Sequence, residues 1–137
     1  MENTAKLGIF DYVKQTVTTN FANFSGRARR REYWLTYLGL CVVSFGFAIL
    51  QILSFQSAVL AIIVSVLSIL WGLFVFIPNL ALLVRRLHDI NRSGWWLLLC
   101  MTGIGSIVIL VFLFLAGTEG ENDYGPDPKA NDVVARP

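Results

Sequence analysis

The residues able to do chemistry in this 137-residue chain fall into three short polar clusters. The first is the segment 24–34, FSGRARRREYW, in which an expected helix puts Arg27, Arg30 and Arg31 on one face and Glu32 on another. Guanidinium forks grip phosphate or carboxylate in bidentate fashion. Just inside a membrane span, such a cluster reads either as a site for anionic lipid headgroups or as a plain orientation signal.

The second cluster is 85–96, RRLHDINRSGWW. Steps of four relate Arg85 to Asp89 and His88 to Arg92, a spacing suited to ion pairs or hydrogen bonds along one helical face. The neighbouring His88 and Asp89 invite a metal or acid–base reading. They supply two ligands at most, successive helical residues diverge by about 100°, and the chain holds 1 histidine. No metal, no cofactor and no catalytic residue is therefore expected. His88 reads as a hydrogen-bonding residue in an elbow, able to titrate near neutrality.

The third cluster, 117–128, is GTEGENDYGPDP, a composition of turns. Its Asn122, Tyr124 and Asp127 are the candidate site residues. Glu119, Glu121 and Asp123 alternate like the start of a calcium loop, but Tyr124 stands where that loop needs glycine and Ala130 where it needs glutamate. Calcium is not expected.

These clusters need elements to hold them, and the composition says in what solvent. Hydrophobic residues make up 55% and charged residues 15%, with mean hydropathy +0.63. Ordinary soluble domains carry about 25% charged residues, so a water-facing globule is excluded, as is a disordered chain. A net charge of +2 suggests no nucleic-acid partner. Cys41 and Cys100 sit in apolar runs without disulfide or metal-ligand spacing, and read as small apolar fillers.

Three apolar stretches, 33–55, 58–84 and 95–116, carry no ionisable Asp, Glu, Lys, Arg or His. About 20 apolar residues cross a hydrocarbon core, so three transmembrane helices are expected in an all-α, polytopic protein. Pro78 and Asn79 in the second stretch invite a kink. Four short crossings, or a re-entrant second stretch split near Trp71 and Gly72, stand as the alternative. The first 20 residues hold no apolar core of a cleavable signal, so permanent spans are expected.

Lys6, Lys14, Arg27, Arg29, Arg30 and Arg31 precede the first span, and Arg85, Arg86 and Arg92 lie in the elbow 85–94. Basic segments stay in the cytoplasm, which places the N-terminus and the elbow inside. With three spans, the acidic tail 117–137, with Lys129 and Arg136 against five carboxylates, is then outside. Segment 7–24 repeats Leu7, Phe10, Val13, Val17, Phe21 and Phe24 at helical steps. It is expected as an amphipathic helix, lying in the interface or packed on the protein's own cytoplasmic face, with Ser25 capping a next helix that starts near Gly26.

In the second span Ala58, Ala61, Ser65, Ser68 and Gly72 form a small-residue stripe, with Asn79 seven residues beyond. Such stripes let helices approach closely, within a bundle or between subunits. Asn79 is the one strongly polar group near membrane depth there, and such groups carry a functional hypothesis.

The segments 24–34, 85–89 with 92–96, and 120–128 (GENDYGPDP) together resemble domain-of-unknown-function family 805, small bacterial inner-membrane proteins of the YhaH type. The resemblance implies an inner-membrane helical protein and implies no activity. It places Arg27, Arg30, Glu32, Arg86, His88, Asp89, Arg92, Tyr124 and Asp127 on motif positions. If the three motifs share one site, the stretch 58–84 must be re-entrant or doubled.

The function expected is a non-enzymatic module that engages anionic lipid or a protein partner through Arg27, Arg30, Arg31, Arg85, Arg86 and Arg92, with Glu32 and Asp89 holding guanidiniums in place. The alternative is a small oligomeric channel or transporter subunit, packed through the stripe of the second span.

Overall fold

The chain's structure, a computed structural model, describes residues 7–130. Lys6, Asp132, Arg136 and the end of the tail, 131–137, lie outside the described residues. Among the described residues four α-helices run in order: α1 Ile9–Val17, α2 Arg30–Leu53, α3 Ala58–Asp89 and α4 Gly103–Phe114. A 3-10 turn, Ser54–Gln56, joins α2 to α3, and a 3-10 segment, Gly94–Met101, precedes α4.

The first two apolar stretches form one long antiparallel hairpin. At 1.5 Å per residue α2 extends about 36 Å and α3 about 48 Å, and both are apolar enough to cross a membrane. Only 11% and 6% of their apolar windows is buried, so neither is the core helix of a soluble protein. Ser57 starts α3 by accepting the Leu60 N–H at 3.4 Å. Pro78 does not break it: α3 is continuous from Ala58 to Asp89, and Pro78 is buried within it. The split near Trp71 and Gly72 is not found.

The third stretch is the broken one, and the expectation of a single helix over 95–116 is overturned. The run 101–106, MTGIGS, contains an N-cap and two poor helix formers. The Thr102 hydroxyl accepts the Gly105 N–H at 3.0 Å, so Thr102 ends one element and caps the next. The approach is tight enough that a side chain on Gly105 would strike the Leu99 carbonyl. The 3-10 piece rises about 16 Å and α4 about 18 Å, each roughly half a hydrocarbon core of about 30 Å. Trp96 and Phe112 meet with ring centroids 5.3 Å apart, and the Arg92 guanidinium lies over both rings. The stretch is thus a short hairpin whose two ends return to the same place.

The N-terminal helix is shorter than 7–24. It ends at Val17, where Thr18 Oγ1 turns back to the Lys14 carbonyl at 2.7 Å. Its buried face is Tyr12 and Thr16, packed on α2 with the Thr16 and Thr36 hydroxyls 3.5 Å apart. Val13 lies so close to Gly39 that a Cβ there would collide with it. Phe10 points away, 77% exposed. Phe21, beyond the helix, stacks against Phe74 of α3 at 5.3 Å. Ser25 caps nothing, because α2 starts at Arg30; Gly26 instead takes φ +81, a left-handed turn that suits glycine.

The small core gathers at one end of the molecule. Ala28, Tyr33, Leu82 and Leu113 form it, with Trp34 and Leu83 packed on its edge.

Candidate functional site

All three polar clusters meet at that end. The segment before α2 is strapped to the end of α3 by the Ala28 N–H on the Arg85 carbonyl, 2.9 Å. This strap is extended chain, so Arg27 does not share a helical face with Arg30 and Arg31 as expected. It turns inward, while Arg30 and Arg31 stay exposed on α2.

Asp89, 1% exposed, is the hub. Its Oδ1 accepts from Arg27 Nε at 3.1 Å and lies 3.1 Å from Arg27 Nη2 in the same ion pair. Its Oδ2 accepts from Arg86 Nη1 at 2.6 Å. The Asp89 carbonyl accepts from the Thr118 N–H at 2.8 Å and from the Thr118 hydroxyl at 3.2 Å. Gly117 passes so near the Asp89 carboxylate that a Cβ would run into it. Only glycine fits there.

Other donors of the two guanidiniums go to the chain that follows α4, while Arg86 Nε is buried without a hydrogen-bond partner. Arg27 Nη1 donates to the Gly120 carbonyl at 2.6 Å and Nη2 to the Thr118 carbonyl. Arg86 Nη2 donates to the Leu115 carbonyl, where α4 has just ended. Asn122 Nδ2 reaches the His88 carbonyl at 2.9 Å. The tail itself is a set of turns: the Asn122 and Gly125 backbones bond to each other, with Gly125 at φ +124. Asp127 accepts the Gly120 N–H at 3.2 Å and the Lys129 N–H at 2.9 Å. Partial burial pushes its carboxyl up, but those two N–H groups, with Arg27 and Lys129 nearby, outweigh it and leave it below the ordinary carboxylate range.

The expected pairs re-sort. Arg85 pairs with Glu32, Nη1 to Oε1 at 2.8 Å, rather than with Asp89. His88 does not reach Arg92, because α3 ends between them and Asn91 turns the chain at φ +55. Its Nδ1 donates to the Gly26 carbonyl at 3.1 Å, and its ring lies flat on Tyr124, centroids 3.8 Å apart and planes within 6°. Asp89 has both carboxylate oxygens engaged. Among the described residues no cluster of His, Cys, Asp and Glu has the make-up of a metal site.

The tail therefore lies at the same end of the molecule as the arginines, not at the opposite end that three spans would give it. The convergence does not need a doubled second stretch, because the third one turns back. The signal lies in Thr102, Gly103, Gly105 and Ser106, which composition alone makes part of an apolar span. Glycines 117, 120 and 125, whose close approach and left-handed turns shape the tail, were legible only as turn residues.

Outside the knot, Arg30, Arg31, Trp34, Leu35 and Phe114 line an open groove of about 430 Å³. Trp34 and Phe114 meet across it with centroids 4.7 Å apart and planes tilted by 30°, and Arg30 Nη1 reaches the Phe114 carbonyl at 3.2 Å. The stripe on α3 borders a second groove, of about 530 Å³, between α2 and α3. There Ser65 Oγ meets Gln51 Oε1 at 3.2 Å and Trp71 Nε1 donates to Ser44 Oγ at 3.1 Å. Ala61 and Asn79 are half-buried, and Gly72 is exposed with open space where a side chain would be.

Residues 21–126 match the family described as Protein of unknown function (DUF805). The chain is 44% identical over 115 residues to the inner membrane protein YhaH of Escherichia coli K12, covering 82% of this chain and 93% of YhaH. It is 45% identical over 115 residues to the inner membrane protein YhaI of the same strain, covering 83% and 92%. To the uncharacterized protein YiiR of that strain it is 30% identical over 135 residues, covering 77% and 85%. No solved structure matches the chain.

Proposed function

The chain belongs to the DUF805 family, and from that membership and the geometry we propose a multi-pass inner-membrane protein whose cytoplasmic end holds anionic phospholipid. In this reading α2 and α3 cross the bilayer. The hairpin 94–114 enters from the cytoplasmic side and returns to it. The N-terminal segment, the elbow and the tail all lie inside, as the arginine-rich character of that end favours. The inner-membrane names of YhaH and YhaI support the location.

The groove beside Trp34 carries the lipid reading. Exposed Arg30 and Arg31 stand one turn before Trp34 and Leu35, with Phe114 of α4 across the groove, at the step from polar cap to apolar helix. A phosphate on the guanidiniums leaves its acyl chains against the rings. The role is binding rather than catalysis, and the saturated Asp89 and the ring-covered His88 support that. Each basic residue near an anionic surface contributes about 1 kcal/mol. Arg30→Gln with Arg31→Gln is therefore expected to weaken retention of phosphatidylglycerol or cardiolipin in detergent roughly 30-fold by native mass spectrometry. Retention equal to the unaltered protein's sinks the lipid reading.

A further inference from the structure

Arg85, four residues before the end of α3, has only 4% of its surface exposed. One terminal nitrogen, Nη1, serves Glu32. The other two, Nε and Nη2, are buried with no hydrogen-bond partner. They lie along one edge of the guanidinium, the edge whose two parallel N–H bonds match two oxygens of an oxyanion. Leaving such donors buried and unpaired is costly, more so on a charged group.

The charges around them lean the same way. Arg27 and Arg86 share the single carboxylate of Asp89, and Arg85 has Glu32. Those three guanidiniums thus face two carboxylates, and Arg29 is buried beside them. Arg85 is also one wall of a half-enclosed cavity of about 160 Å³, completed by Tyr12, Gln15, Asn20, Arg29, Glu32 and Pro128. Arg29 adds a second guanidinium to the wall, held by Nη2 on the Tyr12 hydroxyl. The groove at Arg30 and Arg31 shares no residue with it.

We propose that this cavity binds a phosphate group, with the Nε–Nη2 edge of Arg85 as its bidentate donor. Polar groups of α1, of the residue preceding α2 and of α3 surround the cavity on several sides, which suits a tetrahedral anion better than a flat carboxylate. The phosphate is either free or the headgroup of a lipid.

The test uses the full chain, purified and delipidated in neutral detergent without phosphate. Inorganic phosphate is expected to raise its melting temperature saturably, beyond sodium chloride of equal ionic strength. Gln15→Glu, on the exposed face of α1, puts a like charge at the cavity and is expected to weaken phosphate roughly tenfold or more. Glu32→Gln removes one and is expected to tighten it. Arg85→Gln risks the fold, so the Gln15 and Glu32 variants decide.

If the site takes a lipid headgroup, the undepleted protein retains phospholipid that Gln15→Glu releases and added phosphate displaces. The double Arg30 and Arg31 variant is expected to keep the phosphate response, which separates this site from the lipid groove. A chloride-matched response overturns the proposal, unless Gln15→Glu releases a retained phospholipid. So does binding that is indifferent to both Gln15→Glu and Glu32→Gln.

Discussion

The two ends of the α2–α3 hairpin are built on opposite principles. At the arginine end, four segments distant in sequence are tied by buried charges, with Asp89 bonded to residues 62 positions before it and 29 after it. At the far end, Ile52, Leu53 and Phe55 stand 71–88% exposed around a turn held by Ser54 and Ser57. Those apolar side chains are costly in water, and in the proposed crossing they suit the outer edge of the bilayer, with the turn itself reaching water. The hydrophobic effect does not bring helices together within lipid. Specificity has to come from polar contacts instead, and here they are concentrated where the chain meets water. The far end needs only intrahelical hydrogen bonds and apolar side chains.

The largest expected effect tests which solvent each end sees, because it is all or none. With the native cysteines replaced, a cysteine at Ser57 is expected to react with an impermeant thiol reagent from outside intact spheroplasts. A cysteine at Glu121 is expected to react only after the membrane is opened. Labelling of Glu121→Cys from outside would separate the tail from the arginines and break the comparison.

Next in size is removal of the hub. Asp89→Ala leaves Arg27 and Arg86 buried without a counter-charge, a loss of about 3–5 kcal/mol when one partner of a buried ion pair is removed. The expected readout is a lower unfolding midpoint in detergent together with rapid tryptic cleavage after Lys129, as the tail comes off. Asp89→Leu combined with Arg86→Met is expected to recover part of that stability, since apolar residues of similar volume often replace buried ions without loss. If Asp89→Ala unfolds no more easily than the unaltered chain, the knot is not what holds this end.

Much of this contrast could be read from residue order, and the part that could not has a physical cause. Long uncharged runs identify α2 and α3, because crossing helices must satisfy their backbone internally and dress it in apolar groups. Length alone does not separate a crossing from a re-entrant pair, and 95–116 is as apolar as its neighbours. The break is encoded by small local features, a capping hydroxyl on Thr102 and glycines at 103 and 105. The site residues were nearly all nameable, including Arg27, Glu32, Asp89, Asn122 and Asp127. Their partners were not, because helical spacing predicts neighbours only while the helix lasts. Gly26 and Asn91 end it on both sides of the cluster, so Arg27 and the tail, rather than Arg85, come to Asp89.

The smallest effect asks whether the bare end is bare. Gly117 and Gly72 are both glycines in this chain, but only one has a neighbour waiting. A Cβ on Gly117 meets the Asp89 carboxylate, whereas a Cβ on Gly72 meets nothing within 4 Å. Gly117→Ala is expected to cost about 1–3 kcal/mol, as overpacking does. Gly72→Ala in mid-helix is expected to gain up to about 1 kcal/mol by restricting backbone freedom. Measured side by side in detergent and in vesicles, the two should differ in sign. A loss at Gly72 that appears only in vesicles, along with a lower oligomer fraction by cross-linking, would mean that a second helix packs there. The small-residue stripe of Ala61, Ser65, Ser68 and Gly72 would then be an interface between subunits, and the far end would be held by packing after all.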